Sequence, residues 1–322
     1  MYGCLFLHIH YINILQSVTI MKKIFSSFSF FFIFFLMLAF PSITKNAANQ
    51  GIQLWIFTVM PALLPYTIIS SLLLSLNIFT FPCQIFTAIC GSLCGCPIGA
   101  KMAADYYKEN RLSKKSAEFL MCAFNNISPS FMLNYVFTSV YGPYIHITSD
   151  SKCTLFITLF ISSIFGASIV HILYPNQISP YKSDTDNNIT SSKKDSKSII
   201  QLLDTCIFSS FEVQVKIGGY IILFTIISAL FQHTLSLPPL ACATFTSIIE
   251  LTSGLQSFYI NQLHYATQII IPTISALTTF GGLCTIMQVK TVLDNSDLSI
   301  TKYLISKILA AGFSFIITYL LV

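Results

Sequence analysis

The segment from Gly95 to Leu133, GCPIGAKMAADYYKENRLSKKSAEFLMCAFNNISPSFML, decides the fold of this chain. Both of its ends are apolar, but glycine and proline interrupt the first end and a pair of asparagines interrupts the second. Breaks inside a membrane are tolerated only where protein or a water-filled cavity surrounds the backbone. We therefore expect two interrupted elements that enclose a site within the membrane.

The composition excludes a soluble globular protein. Of the 322 residues, 54% are hydrophobic and only 9% are charged, and the mean hydropathy is +0.73. Because a chain in lipid must satisfy its backbone hydrogen bonds within each segment, long apolar runs predict helices. The net charge of +5 comes from basic residues beside apolar runs, a pattern typical of membrane topology and not of nucleic-acid binding. The predicted fold class is an all-α polytopic membrane protein.

Seven apolar runs predict membrane spans, and two more predict re-entrant hairpins. The spans are expected at residues 24–40, 61–79, 119–140, 154–173, 213–231, 266–289 and 303–321. The hairpins are expected at residues 86–107 and 238–259, which GSLCGCPIG and ELTSG break mid-way. Met21 opens MKKIF and is, with Met1, one of two candidate initiators. The first span is expected to remain uncleaved, with a cleaved signal peptide as the alternative.

The positive-inside rule orients these segments. If both hairpins return to the side from which they enter, Lys45 and Lys152 fall outside and the other fifteen of the seventeen basic residues lie at or toward the cytoplasm. The two hairpins then open to opposite sides of the membrane. The fifteen are Lys22, Lys23, Lys101, Lys108, Arg111, Lys114, Lys115, Lys182, Lys193, Lys194, Lys197, Lys216, Lys290, Lys302 and Lys307.

The chain divides into two halves with the same order of elements: span, hairpin, interrupted span and span. Residues 1–45 are the N-terminal leader and first transmembrane span, 46–174 the first repeat, 175–198 a cytoplasmic polar linker, and 199–322 the second, inverted repeat. FNNISPSFML in the first half corresponds to TTFGGLCTIM in the second, and Gly166 corresponds to Gly312. Inverted repeats with paired broken helices are the arrangement of secondary transporters, which hold the substrate near the midplane.

The first half offers a binding site for an anionic group. Pro97 is expected in the first turn of one helix, and Ser128 is expected to cap another helix that begins at Pro129. Both helix N-termini would then point into the membrane, where their free N–H groups attract an anion. The candidate binding residues of this half are Gly95, Pro97, Gly99, Lys101, Asn125, Asn126 and Ser128.

Structural interpretations of these residues stay open at this point. Lys101 lies one turn beyond Pro97 and can extend to the cytoplasmic interface instead of binding a ligand. The glycines at four-residue spacing can serve only close helix packing. The adjacent asparagines need partners or a cavity, because bare amides in an apolar span are costly.

Glu250 is a lone carboxylate in an apolar run of the second half. An acid within the membrane is costly, so we interpret it as a proton carrier or a substrate ligand, with a hydrogen-bonded structural acid as the alternative. Glu212 and Lys216 have the i, i+4 spacing of a structural ion pair at a membrane edge. The candidate binding residues of this half are Glu250, Thr252, Gly254, Gly281 and Gly282.

The sequence carries no motif of an enzyme or an ATP-driven pump, since it lacks GxxxxGK[ST], GxSxG and HExxH. The ten cysteines lie mostly in apolar runs and are expected to be reduced packing residues. A soft-metal site formed by Cys90, Cys94 and Cys96 is the alternative for three of them. No enzymatic activity, cofactor or metal is therefore predicted.

The segment from Gly95 to Leu133, together with IIELTSGLQ and TTFGGLCTIMQVKTVL, resembles the YlbJ-type sporulation integral membrane proteins. Members of this family carry the nucleoside-recognition Gate domain, which is related to concentrative nucleoside transporters. The resemblance covers residues 50 to 321. It implies a role in spore formation, in which the family is linked to moving dipicolinic acid across the outer forespore membrane. It also implies an aromatic residue where this chain has Cys96.

The sequence thus predicts a multi-pass bacterial membrane protein that is a secondary transporter or facilitator of a small organic anion, with dipicolinic acid as the first candidate. A nucleoside transporter is one alternative, because a shared fold does not fix the ligand. A non-transporting scaffold for spore-envelope assembly is another. The expected partners are the organic anion and the lipid bilayer but no nucleic acid, and a homo-oligomer is left open.

The predicted topology can be tested by thiol labelling in a cysteine-free background. Cysteines placed at Lys114 and Lys194 should be shielded from an impermeant reagent in intact cells, because both positions are expected in the cytoplasm. Cysteines at Asp150 and Gln262 should be labelled and serve as the positive controls. Labelling of the first pair with shielding of the second would reverse the orientation.

Overall fold

The structure is a computed structural model that describes residues 27–28, 30–76, 82–141, 149–174, 199–235, 237–260, 267–293 and 296–321. All regular structure in these ranges is helical, and no strand occurs in them. The protein is therefore an all-α polytopic membrane protein. The candidate initiators Met1 and Met21 and the polar linker at 175–198 lie outside the described residues.

The described part of the first half contains eight helices, of which two continue as π-helical segments. They are α1 (Phe30–Ala39), α2 (Pro41–Gln53) with the π-helical Leu54–Val59, α3 (Met60–Leu76), α4 (Cys83–Cys94), α5 (Ile98–Lys108), α6 (Lys114–Phe124), α7 (Pro129–Phe131) with the π-helical Met132–Val140, and α8 (Ser149–Leu173).

The second half contains six described helices in the same order of span, hairpin, interrupted span and span. They are α9 (Ile199–Thr234), α10 (Pro239–Ile249), α11 (Leu251–Ile260), α12 (Thr267–Phe280), α13 (Gly282–Val292) and α14 (Ile300–Leu321).

Five of the described helical segments are long and apolar enough to cross a membrane, namely Pro41–Leu73, Lys152–Leu173, Ile199–Thr234, Thr267–Val292 and Ile300–Leu321. The first of them begins at Pro41 and not at residue 61 as expected. The span expected at 119–140 is divided between α6 and α7 by a break that starts at Asn125. The span expected at 24–40 is described only as the short helix α1.

Helices α4 and α5 form one antiparallel hairpin, and α10 and α11 form another. A Cβ atom built on Gly91 would lie 3.0 Å from the Cα atom of Gly99, and one built on Gly254 would overlap the backbone of Ser247. In a straight helix, residues eight apart would be separated by about 12 Å. The chain therefore reverses at both breaks, whereas the return of each hairpin to its own side of the membrane stays a prediction.

Close packing of α8 on α14 joins the two halves. A Cβ atom on Gly166 would lie 2.5 Å from the carbonyl oxygen of Ser306 and 3.0 Å from the amide nitrogen of Ala310. Glycine therefore lets the two backbones approach. Gly312, the expected counterpart of Gly166, has nothing within 4 Å of a built Cβ atom, so the correspondence between them does not extend to packing.

Trp55 lies in the π-helical segment after α2 and packs on Gly218 of α9. A Cβ atom on Gly218 would overlap the indole ring, so the ring occupies the space that a larger residue would fill. Trp55 joins a small cluster of apolar side chains from its own π-helical segment, α3, α9 and α13, which includes Val59, Leu63, Ile217 and Ile221.

Candidate functional site

A central cavity of about 60 Å³ lies where four broken helical elements meet. The first hairpin contributes Cys96 to its wall, and the break between α6 and α7 contributes Ser128. The second hairpin contributes Glu250 and Thr252 from its own break. Helix α13 and apolar residues complete the lining with Thr285, Gln288, Val59, Leu63, Ile127, Phe131, Ile217, Ile221 and Leu251.

Each hairpin tip contacts the interrupted span of its own half. A Cβ atom on Gly95 would lie 2.8 Å from the amide nitrogen of Ser128, and one on Gly282 would lie 3.2 Å from the amide nitrogen of Leu251. Gly95, Gly281 and Gly282 have φ angles of 82°, 85° and 84°, which side-chain-bearing residues rarely adopt. Glycine at these positions permits both the backbone turn and the close contact.

The break before α7 has the predicted cap. The hydroxyl of Ser128 accepts a hydrogen bond of 3.2 Å from the amide of Phe131, and Pro129 is the first helical residue. The expectation for Pro97 was wrong by one position, because α5 begins at Ile98 and Pro97 is its N-cap. A carbonyl that precedes the first helical residue can still accept the first intrahelical bond. The amide of Lys101 accordingly donates to the carbonyl of Pro97 at 3.0 Å.

Asn125 joins the first hairpin to α14. Its side-chain oxygen accepts a hydrogen bond of 3.2 Å from the amide of Ala100, and its side-chain nitrogen donates to the hydroxyl of Tyr303 at 3.0 Å and to the sulfur of Cys96 at 3.2 Å. Asn125 is 1% exposed and is not among the residues that line the central cavity. In this conformation the amide holds protein elements together.

Asn126 makes a second set of internal bonds. Its side-chain nitrogen donates to the carbonyl of Ala123 at 3.0 Å. Its side-chain oxygen accepts two bonds, of 2.7 Å from the hydroxyl of Ser163 and of 2.6 Å from the ammonium of Lys307. The backbone carbonyl of Asn126 accepts a 2.7 Å bond from the amide of Cys96. This residue therefore connects the break to the hairpin, α8 and α14.

Lys307 is the functional candidate that the sequence analysis missed. It was counted among the cytoplasmic basic residues, but it lies within α14 and is only 2% exposed. A lysine buried inside the bundle carries no information on orientation, so its place in that count has no weight. The available signal was a lone charge in an apolar run, which is the signal that singled out Glu250.

Glu250 forms the N-terminal cap of α11. One carboxylate oxygen accepts a 3.0 Å bond from the amide of Thr252, and the other accepts a 2.6 Å bond from the amide of Ser253. The carboxylate also borders the central cavity, although Glu250 is only 3% exposed. The arrangement satisfies two backbone donors that the break leaves free. A role as proton carrier stays a prediction.

The other predicted residues of the second half shape the hairpin. The carbonyl of Thr252 accepts a 2.7 Å hydrogen bond from the hydroxyl of Tyr135, and Gln50 donates to Gln256 at 2.8 Å. Gly254 allows α11 to pack on α10 and is not among the residues that border the cavity. Two neutral hydrogen bonds therefore fasten this hairpin to the first half.

Two larger cavities adjoin the central one. The charged cavity, of about 240 Å³, contains Lys101, Asp105, Lys108, Glu212 and Lys216 and shares Ile217 and Gln288 with the central cavity. Glu212 and Lys216 form the predicted ion pair, at 2.8 Å. The polar cavity, of about 410 Å³, contains Thr58, Ser130, Asn134, Tyr135 and Gln256 and shares Phe131 with the central cavity.

The cysteines provide no metal centre in the part of the chain that is described. No group of three His, Cys, Asp or Glu side chains there is placed to hold a metal ion, and the described cysteines are free thiols. The alternative of a soft-metal site at Cys90, Cys94 and Cys96 therefore lacks geometric support.

The chain is similar to the sporulation integral membrane protein YlbJ of Bacillus subtilis (strain 168), with 23% identity over 308 residues. The similarity covers 88% of this chain and 71% of that relative. No family model matches the chain. No solved structure matches it either.

Replacement of Asn126 should destabilise the protein more than replacement of an exposed asparagine. Asn126→Ala leaves a buried ammonium without its acceptor, which should cost about 3 kcal/mol of unfolding free energy. Asn134→Ala is the control, because Asn134 is exposed and its side-chain nitrogen donates only to Ser130. We expect a melting temperature several degrees lower for Asn126→Ala in detergent. Equal melting temperatures would contradict the assigned network.

Proposed function

We propose that this protein is a secondary transporter or facilitator of a small organic anion, with dipicolinate as the first candidate, acting in spore formation at the outer forespore membrane. The observation that carries the proposal is the meeting of four broken helical elements around the central cavity. Paired broken helices around a midplane site are the arrangement that secondary transporters use. The similarity to a sporulation integral membrane protein supports the biological setting.

The order of the elements supports two related halves. Helices α4 and α5 correspond to α10 and α11, the α6–α7 break corresponds to the α12–α13 break, and α8 corresponds to α14. In each half the hairpin tip contacts the interrupted span, at Ser128 and at Gly282. These two residues occupy the same position in the segments FNNISPSFML and TTFGGLCTIM. Alternate movement of two such halves would expose the central cavity to either side in turn.

The charges around the central cavity favour an anion that arrives from the charged cavity. Lys101 borders the charged cavity, which shares the lining residues Ile217 and Gln288 with the central one. The positive end of the helix that starts at Pro129 adjoins the central cavity through Ser128. Lys307 lies behind the cavity wall that Ser128 belongs to and adds a positive charge. None of the described ion pairs joins this charge to a carboxylate.

A second candidate is a nucleoside transporter, which the position of Glu250 favours. Its carboxylate borders the central cavity, and carboxylate oxygens accept hydrogen bonds from sugar hydroxyls. A negative group would at the same time repel a dicarboxylate placed beside it. In the proposed function both carboxylate oxygens of Glu250 instead remain bonded to the amides of Thr252 and Ser253.

Uptake by the purified protein in liposomes tests the proposal. We expect saturable uptake of labelled dipicolinate that unlabelled dipicolinate inhibits and that unlabelled uridine leaves unchanged. Uptake of uridine without uptake of dipicolinate would establish the nucleoside transporter instead. A protein that moves neither compound would support the scaffold and contradict the proposal. Empty liposomes provide the background rate.

Spores provide the corresponding test in cells. Lys101→Ala, expressed in a spore former that lacks its own relative of this protein, should lower the dipicolinate content of the spores, because the charge at the cavity entrance is lost. Spores with Lys101→Arg should contain more dipicolinate than spores with Lys101→Ala, because arginine keeps the positive charge. Lys45→Ala is the matched control, since Lys45 is an exposed lysine outside the charged cavity. Equal dipicolinate contents in the spores of all strains would show that Lys101 has no role in dipicolinate transport.

The second hairpin should act as the gate between the polar and central cavities. Tyr135→Phe removes the bond to Thr252, worth about 1 kcal/mol, and should raise the population of the open state roughly fivefold. In a variant with Cys96 as its only cysteine, an impermeant thiol reagent added outside the cell should label Cys96 faster by about that factor. Tyr319→Phe, at an exposed tyrosine of α14, should leave the rate unchanged. Equal rates would contradict the gate.

A further inference from the structure

The ammonium of Lys307 is buried, and it is not part of any ion pair among the described residues. Lys307 is 2% exposed, and the described ion pairs of the protein are Arg111–Glu109, Lys216–Glu212 and Lys302–Glu118. An isolated buried charge costs several kcal/mol unless polar groups solvate it, roughly the whole stability of a small domain. Such a residue within a membrane protein is therefore a candidate for a function.

Neutral groups surround the ammonium. The side-chain oxygen of Asn126 accepts its hydrogen bond at 2.6 Å, and the same oxygen accepts a 2.7 Å bond from Ser163. The ammonium also lies 5.6 Å from the centre of the Tyr303 ring, within the range of a cation–π contact. An amide oxygen and an aromatic face are the groups that bind a small monovalent cation without neutralising it.

The backbone near Asn126 adds to this preference. Helix α6 ends at Phe124, so its last carbonyls lie next to the break and carry the partial negative charge of a helix C-terminus. In broken-helix transporters, such carbonyls and helix ends coordinate the coupling Na⁺ or H⁺. The Lys307 ammonium therefore occupies the kind of position in which other transporters bind a free cation.

We propose that the break between α6 and α7 forms a monovalent-cation site and that Lys307 fills it with a cation tethered to the chain. The tethered ammonium joins α14 to the break through Asn126, to α8 through the shared bond with Ser163, and to the first hairpin through Asn126 and Cys96. The proposal of this cation site does not depend on which compound the protein transports. Its ligand class is a primary ammonium ion.

Chemical rescue of a lysine-free variant tests this site. In Lys307→Ala the side chain is gone and the acceptors remain, so the purified variant should bind a free ammonium ion. Its melting temperature should rise saturably with methylammonium chloride, by roughly 2–4 °C at about ten times the dissociation constant. Choline chloride at the same ionic strength should produce no such rise, because its cation is too large and has no N–H donor.

Two controls separate rescue from a general salt effect. The wild type should not respond to methylammonium, because its site is filled. Lys290→Ala should not respond either, because Lys290 is an exposed lysine of α13. An equal response of Lys307→Ala to methylammonium and choline, or a response of all three proteins, would overturn the proposal.

A further variant keeps the test informative if Lys307→Ala does not fold. Lys307→Gln retains a hydrogen-bond donor of similar length but has no charge. It should melt several degrees below the wild type, because neutral acceptors and a helix C-terminus remain without their cation. It should also be insensitive to methylammonium, since its side chain fills the space. A melting temperature equal to that of the wild type would show that the charge is dispensable and would overturn the proposal.

Discussion

The structure depends on hydrogen bonds that replace those lost at the interrupted helices. A membrane supplies no water to unpaired backbone groups, so each break needs partners from elsewhere in the protein. The backbone carbonyl of Asn126 accepts a hydrogen bond from the amide of Cys96, and the side-chain oxygen of Asn125 accepts one from the amide of Ala100. These bonds tie the first hairpin to the first interrupted span, and the central cavity exists because the two elements are held together.

The two halves stabilise their helix breaks with different types of residue. In the first half, the neutral amide side chains of Asn125 and Asn126 accept hydrogen bonds at the break. In the second half, Gly281 and Gly282 turn the backbone with positive φ angles, and the Glu250 carboxylate caps the hairpin. The break of the first half consequently contacts the buried Lys307 of α14, and the hairpin of the second half holds the buried Glu250.

Much of the architecture was predictable because membrane helices depend on apolar length, and the breaks depend on glycine, proline and capping residues that a sequence displays directly. The cap at Ser128 and the pair of Glu212 and Lys216 are local features of this kind. The partner of Asn126 was not predictable, because Lys307 is distant in sequence and its position depends on how α14 packs on α8. The charge count could not separate it from the exposed lysines for the same reason.

Trp55 is the single tryptophan of the chain, and its contact with Gly218 gives the protein a spectroscopic property. The indole lies among Val59, Leu63, Ile217 and Ile221, and these four side chains also form the apolar wall of the central cavity. Its ultraviolet emission therefore comes from one defined place beside the proposed ligand. Movement of α9 against the π-helical segment changes the polarity around the ring, so intrinsic fluorescence reports on this wall without an added dye.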